Sequence, residues 1–158
     1  MLLPEKLLAL ENETLLRKQE KPPPEEESVQ LHQEKVLCLC DDARIKQVLT
    51  NLITNAIDYS KKEKGKIHIT LFSDKKSFAK IVVKDNGIGI SSSHFEKIFQ
   101  KFYQIDAPSV RERNGIGLGL TVCKCIIESH GGKIWAESNG KDEGCEFHVL
   151  LPLEKKLC

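Results

Sequence analysis

The strongest constraint on this chain is a short turn that follows an apolar run. Residues 81–84, Ile-Val-Val-Lys, lead directly into residues 85–90, Asp-Asn-Gly-Ile-Gly-Ile. An apolar run bounded by glycines predicts a buried strand that ends at the Asp85 carboxylate. Because Gly87 and Gly89 lack Cβ atoms, the backbone can approach a flat ligand while Asp85 accepts a hydrogen bond. The pattern fits a purine site in which Asp85 accepts from an exocyclic amine, and it also fits an ordinary Asp-Asn-Gly turn.

The overall composition bounds the class of protein. The 158 residues have room for one domain with a short appendage. A formal charge of +1 gives no basic footprint, so we expect no nucleic-acid partner. No apolar run approaches the roughly 20 residues that span a bilayer, and the first residues lack the pattern of a signal peptide. We therefore expect a cytoplasmic chain without direct membrane insertion, and we leave open whether its parent protein is attached to a membrane.

The six cysteines are many for this length, but their spacing does not indicate a metal site. Cys38 and Cys40 form one C-x-C pair and Cys123 and Cys125 another, whereas zinc sites typically use C-x-x-C. We expect the cysteines to be small apolar core residues in a reducing compartment.

A proline-rich segment divides the N-terminal part of the chain from the rest. Residues 1–21 carry leucines at helical spacing, which fits either the end of an amphipathic helix or a disordered lead. Residues 22–28, Pro-Pro-Pro-Glu-Glu-Glu-Ser, predict an extended linker. One domain then covers residues 29–158, and its first predicted element is a short strand around residues 36–39.

Residues 43–59 have the period of an amphipathic helix, and either of the two preceding aspartates can cap its start. Its apolar face consists of Ile45, Val48, Leu49, Leu52 and Ala56. Asn51, Asn55 and Asp58 cluster on another face, although asparagine is a mediocre helix former. Two asparagines one turn apart either offer amide oxygens to a hard cation or simply face solvent.

The second half of the chain alternates strands with glycine-bearing turns. We expect strands at residues 67–71, 78–84, 133–138 and 145–151. A capping box at residues 93–96 predicts the start of a short helix. The last two strands would be joined by a turn that contains glycine.

Residues 100–114 have little period, and a loop of this length in a compact domain is typically a lid or a binding loop. The loop leads into Gly115, Gly117 and Gly119, at the start of a predicted helix that runs to about His130. Glycines at a helix start form a phosphate cradle, because free N–H groups and the positive helix end point to the same place. The spacing matches neither the dinucleotide-binding fingerprint nor the P-loop.

Together and in this order, these segments resemble the catalytic ATP-binding domain of sensor histidine kinases. The matching segments are the N box at residues 42–57, the G1 box at 85–90, the F box at 98–103 and the G2 box at 114–120. The resemblance covers residues 37–153. It implies a Bergerat-type α/β two-layer sandwich, with a mixed, mostly antiparallel sheet covered on one face by helices. Gyrase, Hsp90 and MutL share this fold.

The resemblance implies ATP and Mg²⁺ as ligands and assigns roles to the matching residues. Asn55 is implied as the metal ligand, with Asn51 as its catalytic support. Tyr59 would lie against adenine, and Asp85 would accept from the adenine amine. The implied nucleotide-binding residues are Asn55, Tyr59, Asp85, Gly87, Gly89, Ile90, Gly115, Gly117, Leu118, Gly119 and Leu120. The implied lid residues are Lys101, Arg111 and Arg113 as phosphate candidates, and Phe99 and Phe102 at the hinge.

Asn51 also bears on the reaction that the resemblance implies. Gyrase-like hydrolases place a glutamate at this position to activate water, whereas an amide cannot act as a general base at neutral pH. The implied function is therefore transfer of the γ-phosphoryl group of Mg-ATP to a histidine, with catalysis through positioning and charge neutralisation. The implied protein partners are a histidine-bearing dimerisation domain and a response regulator receiver domain.

Two features depart from the family pattern. Asp58 stands where these kinases commonly carry a lysine that contacts phosphate, and an inward-pointing carboxylate would repel triphosphate. None of the five histidines has the phosphoacceptor setting, so we expect the acceptor outside this chain. These departures keep one alternative open, a nucleotide-binding signalling module without phosphotransfer. A gyrase-like or Hsp90-like ATPase is a third, less favoured interpretation.

Overall fold

The computed structural model describes residues 38–61, 63–73, 77–105 and 116–153. The helices and strands in chain order are α1 (Asp42–Tyr59), β1 (Ile67–Ser73), β2 (Phe78–Asp85), α2 (Gly119–Ser129), β3 (Lys133–Glu137) and β4 (Glu146–Pro152). Two single 3₁₀ turns, Ser92–His94 and Lys97–Phe99, lie between β2 and α2. The four strands form one sheet, and the two helices pack together on one of its faces.

Helix α1 has the predicted extent because its caps and its apolar period agree. Asp41 is the N-cap, and its carboxylate accepts from the backbone N–H of Arg44 at 3.2 Å. At the other end, the hydroxyl and the backbone N–H of Ser60 both donate to the carbonyl of Ala56, at 2.6 and 3.0 Å. The predicted apolar face is buried together with Ile53, so the prediction for this helix is confirmed.

The sheet has the strand order β1-β2-β4-β3, and every pairing between these four strands is antiparallel. The expectation of a mostly antiparallel sheet is therefore confirmed. One register row across the helix-covered face reads Ile69, Val83, Phe147 and Ala136, and all four side chains are buried. Side chains alternate between the two faces of a strand, so Asp85 lies on the same face of β2 as Val83. The Asp85 side chain is therefore on the side of the sheet that the helices cover.

Helix α2 is tied to the start of α1 by a histidine. The His130 Nδ1 bonds the carbonyl of Ile126 at 2.7 Å, which makes it the donor, and its Nε2 accepts from the backbone N–H of Asp41 at 3.0 Å. The chain then turns away at Gly131, where φ is +70°. The predicted end of this helix near His130 is confirmed.

Two local predictions were wrong. Residues 93–96 do not open a helix through a capping box, because this stretch forms two separate 3₁₀ turns, neither of which has a side-chain cap. Residues 38–40 form no strand, and the Leu39 side chain is 78% exposed. The predicted lead at 1–21, the linker at 22–28 and the rest of the early strand lie outside the described residues.

The cysteines that the structure describes are mostly core residues, as expected, whereas Cys158 lies outside the described residues. Cys38, Cys123 and Cys145 are buried free thiols, and Cys40 is partly buried. Cys125 is exposed, so the core prediction is wrong for it, because its position on α2 faces away from the sheet. In the described part of the chain, neither helix is apolar enough over sufficient length to cross a bilayer.

Candidate nucleotide-binding site

A cavity of about 520 Å³ lies between α1, the end of β2 and the start of α2. Three stretches that are far apart in the sequence meet there, and most of the residues implied by the resemblance line its wall. These are Asn55, Tyr59, Asp85, Gly89, Ile90, Gly117, Leu118, Gly119 and Leu120. The cavity is therefore the place where the separate sequence motifs form one site.

Asp85 lies in the cavity wall as a nearly buried carboxylate, with only 5% of the residue exposed. Its Oδ1 accepts from the backbone N–H of Gly87 at 2.8 Å, and its own N–H donates to the carbonyl of Cys145 at 2.9 Å. Burial raises the pKa of this carboxyl above its usual value, although backbone hydrogen bonds partly oppose the shift. A ligand that donates a hydrogen bond to a buried acceptor of this kind is bound more favourably, because the bond offsets the free-energy cost of burying the carboxylate.

The glycines of the 85–90 turn are required by contacts within the protein. A Cβ on Gly87 would lie 2.0 Å from the carbonyl oxygen of Tyr59, and a Cβ on Gly89 would lie 1.9 Å from that of Gly140. Gly89 also has a φ of +68°. Gly89 lines the cavity but Gly87 does not. We predicted a close approach to a ligand at both positions, whereas at Gly87 the close approach is to the end of α1.

The turn between β3 and β4 supports this glycine turn, and the sequence analysis did not identify it. The Ser138 hydroxyl accepts from the N–H of Ile90 at 3.1 Å and donates to the carbonyl of Gly144 at 2.6 Å. The N–H of Gly144 in turn donates to the carbonyl of Gly87 at 3.1 Å. Only the contact itself reveals this support, because a serine in a polar turn has no distinguishing sequence signal.

The start of α2 forms the opposite wall of the cavity. Leu118 occupies the N-cap position, and its side chain makes no hydrogen bond to the first N–H groups of the helix. Gly117 precedes it with a φ of +73°. The N–H of Phe102 donates to the carbonyl of Gly117 at 3.0 Å, which joins the two sides of the predicted lid. An uncapped helix start of this kind favours anionic groups.

The two phenylalanines at the lid hinge behave differently. Phe99 is buried and packs edge-on against Phe147, with ring centroids 6.5 Å apart. Phe102 was expected to pack there as well, but this prediction is wrong, because the residue is 68% exposed. Its φ of +62° turns the side chain outward, so only its backbone contributes to the hinge.

Helix α1 supplies four polar residues to the cavity wall, which are Thr54, Asn55, Asp58 and Tyr59. The amide oxygen of Asn55 and the carboxylate of Asp58 are hard oxygen ligands, one helical turn apart, so their chemistry fits Mg²⁺. Among the described residues, no group of three or more His, Cys, Asp or Glu side chains could hold a metal by itself. A cation here would therefore share its coordination with ligand phosphates and water, as Mg²⁺ commonly does.

Other predicted residues lie elsewhere. Asn51 does not line the cavity, because its Nδ2 donates to the carbonyl of Gly119. Lys101 is exposed and also does not line it. Gly115, Arg111 and Arg113 lie outside the described residues. Lining residues that the sequence analysis did not assign to the site are Thr54, Asp58, Ile88, Ile98, Tyr103, Gln104, Ile105, Ile116, Cys145 and Phe147.

Comparison with known proteins assigns this arrangement to a family. The profile of a family described as histidine kinase-, DNA gyrase B-, and HSP90-like ATPase matches residues 40–155. The chain belongs to this family. Its members are described as ATPases, and membership therefore implies that the domain uses ATP.

The related sequences include sensor kinases. The chain is 44% identical over 113 residues to the sensor protein SrrB of Staphylococcus aureus, which covers 71% of this chain and 19% of SrrB. It is 37% identical over 126 residues to the sensor protein kinase WalK of Staphylococcus epidermidis, which covers 79% of this chain and 20% of WalK. The chain thus spans about one fifth of the length of these curated relatives.

Solved structures agree with this assignment over almost the whole chain. The catalytic domain of histidine kinase ThkA has a TM-score of 0.76 and 31% identity, with 97% of this chain and 94% of that chain covered. The sensor histidine kinase MprB shares the fold at 22% identity, with a TM-score of 0.75 and coverage of 94% and 95%. The Bergerat-type α/β fold of histidine kinase catalytic domains is therefore confirmed.

Proposed function

We propose that this chain is the catalytic ATP-binding domain of a two-component sensor histidine kinase. It would bind Mg-ATP in the cavity between α1 and α2 and donate the γ-phosphoryl group to a histidine on a dimerisation domain. The observation that carries the proposal is the polarity of the cavity. A buried carboxylate, Asp85, stands in its wall, and an uncapped helix start faces the same space beside Asn55.

The two polar parts of the cavity suit the two parts of ATP. The Asp85 carboxylate would accept a hydrogen bond from the adenine amine, and the half-buried Tyr59 would lie against the base. Apolar side chains such as Ile88 and Phe147 line the same cavity and would cover the faces of a purine. The N–H groups at Gly119 and Leu120 would face the phosphates, where the positive end of α2 favours negative charge.

Asn55 would bind the divalent cation through its amide oxygen, and the Asp58 carboxylate in the same cavity wall is a second candidate oxygen ligand. When bound, Mg²⁺ would neutralise charge on the β- and γ-phosphates. The protein itself would orient the triphosphate between α1 and α2 and exclude water from the base. These contributions are positioning and electrostatic stabilisation, which are the main sources of catalysis in phosphoryl transfer.

Transfer to a protein acceptor is preferred to hydrolysis because no general base is available at position 51. The Asn51 amide has no basic atom at neutral pH, and its Nδ2 is already hydrogen-bonded to α2. A signalling module that binds ATP without phosphotransfer remains the second candidate, because Asp58 lines the cavity and brings negative charge toward the triphosphate.

The proposed protein partners follow from the relatives. Histidine kinase ThkA has been solved in complex with the response regulator protein TrrA, and 98% of this chain matches 41% of that ThkA chain at 31% identity. By analogy, we propose a receiver domain as the downstream partner and a histidine-bearing dimerisation domain as the direct acceptor. Free buried thiols and a need for ATP are both consistent with a cytoplasmic location.

The test is transfer of label from γ-labelled ATP to a separate dimerisation domain that carries the acceptor histidine. The unmodified chain should label this domain in the presence of Mg²⁺, and Asn55→Ala should abolish labelling. Gln47→Ala is the matched control, because it removes an exposed amide two turns earlier on the same helix and should retain labelling. Tight ATP binding without any label would favour the signalling module, and steady phosphate release without an acceptor would favour the ATPase.

A further inference from the structure

We propose that Asn51 is a positioning residue whose side-chain amide holds the first turn of α2 against α1 and so sets the phosphate end of the cavity. In this role it touches neither the nucleotide nor the metal. The inference rests on the proposed function, since it explains how the chain places the group that would receive the phosphates. It also gives the first asparagine of the N box a role separate from that of Asn55.

The contacts of Asn51 all lead to α2. Its Nδ2 donates to the carbonyl of Gly119 at 3.3 Å and lies 3.6 Å from the Sγ of Cys123. Gly119 is the first residue of α2 and lines the cavity, and Cys123 follows one turn later. The Asn51 amide therefore contacts the start of α2 at two points that lie one helical turn apart.

The hydrogen-bond directions explain why an amide is suited to this position. Cys123 is fully buried, and its Sγ donates to the carbonyl of Val48 at 3.8 Å. Since Val48 lies on α1, this bond is a second link between the two helices. Burial raises the pKa of the Cys123 thiol to about 11, so the thiol keeps its proton at neutral pH. Asn51 can donate one N–H to Gly119 and the other to Cys123, whereas a carboxylate at position 51 could donate neither.

The start of α2 depends on such a contact because it has no cap of its own. Leu118, at the N-cap position, makes no side-chain hydrogen bond, so the N-cap residue itself does not occupy the first N–H groups of the helix. Without a capping side chain, the position of this turn relative to α1 must come from packing. Asn51 provides that link, and Asn55 lies one turn further along the same helix in the cavity wall. Both parts of the phosphate site are thereby fixed to α1.

The test compares three ligands on the full chain: ATP with Mg²⁺, ATP with EDTA, and adenosine. For Asn51→Ala we expect the affinity for ATP to fall about three- to tenfold under both metal conditions, as for the loss of one or two hydrogen bonds. Adenosine lacks phosphates, so its affinity should be unchanged. Cys123→Ala should lower the affinity for ATP in the same way. Cys123→Ser should restore that affinity, because a hydroxyl can also accept and donate a hydrogen bond. The loss of ATP affinity in the double variant Asn51→Ala/Cys123→Ala should be smaller than the sum of the two single losses.

Three results would overturn the inference. An equal loss for adenosine would indicate a general structural role, a loss confined to Mg²⁺ conditions would make Asn51 a metal ligand, and unchanged ATP affinity would remove the role altogether. If Asn51→Ala does not fold, the Cys123→Ala and Cys123→Ser pair decides by the same criteria. If the unmodified chain binds adenosine but not ATP under either condition, the proposed function itself fails, which is distinct from these outcomes.

Discussion

Replacement of Asp85 by asparagine should separate nucleotide binding from stability. The carboxylate is 5% exposed, and its Oδ1 accepts from the N–H of Gly87 at 2.8 Å. Asparagine has the same shape and keeps an oxygen that can accept this bond, but it carries no charge. The Asp85→Asn variant therefore retains the turn while it removes the charged acceptor for the adenine amine.

The size of the binding effect follows from the bond that is lost. A hydrogen bond to a charged group contributes about 1.5–3 kcal/mol, which corresponds to about a 10- to 150-fold weaker affinity for ATP. Inosine triphosphate has an oxygen in place of the adenine amine, so it should bind weakly to the unmodified chain. In Asp85→Asn, the preference for ATP over inosine triphosphate should disappear, because the new amide can donate to that oxygen.

The stability effect has the opposite sign. Burial raises the pKa of Asp85, so as the pH rises the unfolded chain ionises first, and the native state is destabilised by a buried charge at neutral pH. We therefore expect Asp85→Asn to be at least as stable as the unmodified chain at neutral pH. The difference should shrink as the pH falls and should be lost below 3.8, the ordinary pKa of this carboxyl, because Asp85 is then mostly protonated in both the folded and the unfolded chain.

The assay combines calorimetric titration with ATP and inosine triphosphate and urea denaturation across the acidic range. Glu128→Gln is the control, because it makes the same chemical change at an exposed site at the far end of α2. The control should change neither the affinity nor the nucleotide preference. Unchanged ATP affinity in Asp85→Asn, or a variant clearly less stable than the parent at neutral pH, would refute the reasoning.

Three further substitutions test the fold and its pH dependence. Gly89→Ala should lower the free energy of unfolding by about 2 kcal/mol or more, because its Cβ would meet the carbonyl of Gly140 at 1.9 Å in a left-handed backbone. Gly119→Ala, whose Cβ would have ordinary contacts at 3.9 Å, should raise it by up to about 1 kcal/mol in the same urea denaturation. Burial and the nearby Lys80 lower the pKa of His148 below 6.5. The unfolded chain binds this proton first, so stability should decline as the pH falls through 6.5, the ordinary pKa of histidine. His148→Phe should remove that part of the decline.

The sequence predicted an element correctly wherever a periodic pattern of apolar residues extended over several helical turns or along a whole strand. The boundaries of α1 were predicted because the apolar period and the Asp41 cap indicate the same start. The four strands were predicted because alternation and flanking turns agree. The capping-box pattern at 93–96 failed although Phe95, Ile98 and Phe99 follow at helical spacing, because the buried Ile98 and Phe99 are placed by a 3₁₀ turn and not by an α-helix. Short 3₁₀ turns satisfied the backbone of that stretch instead.

Glycine positions show a different limit of sequence reasoning. The pattern at Gly87 and Gly89 correctly indicated that something approaches the backbone closely, but a sequence cannot tell whether a ligand or another part of the protein approaches. At these two glycines it is the carbonyl groups of Tyr59 and Gly140. The contribution of Ser138 was equally hidden, since its hydrogen bond to Ile90 joins residues 48 positions apart.

The two asparagines of α1 show how the fold gives different roles to residues that the sequence pattern groups together. Four residues along an α-helix advance by about 6 Å and turn by about 40° beyond a full circle. Asn51 and Asn55 therefore lie on the same face of α1, but their side chains reach different surroundings. Asn55 reaches the cavity, while Asn51 meets Gly119, 68 positions away in the sequence. Amide chemistry suits both places, because its oxygen can bind a cation and its nitrogen can donate to a carbonyl. One residue type at both positions is thus compatible with two roles, and only the position of α2 distinguishes them.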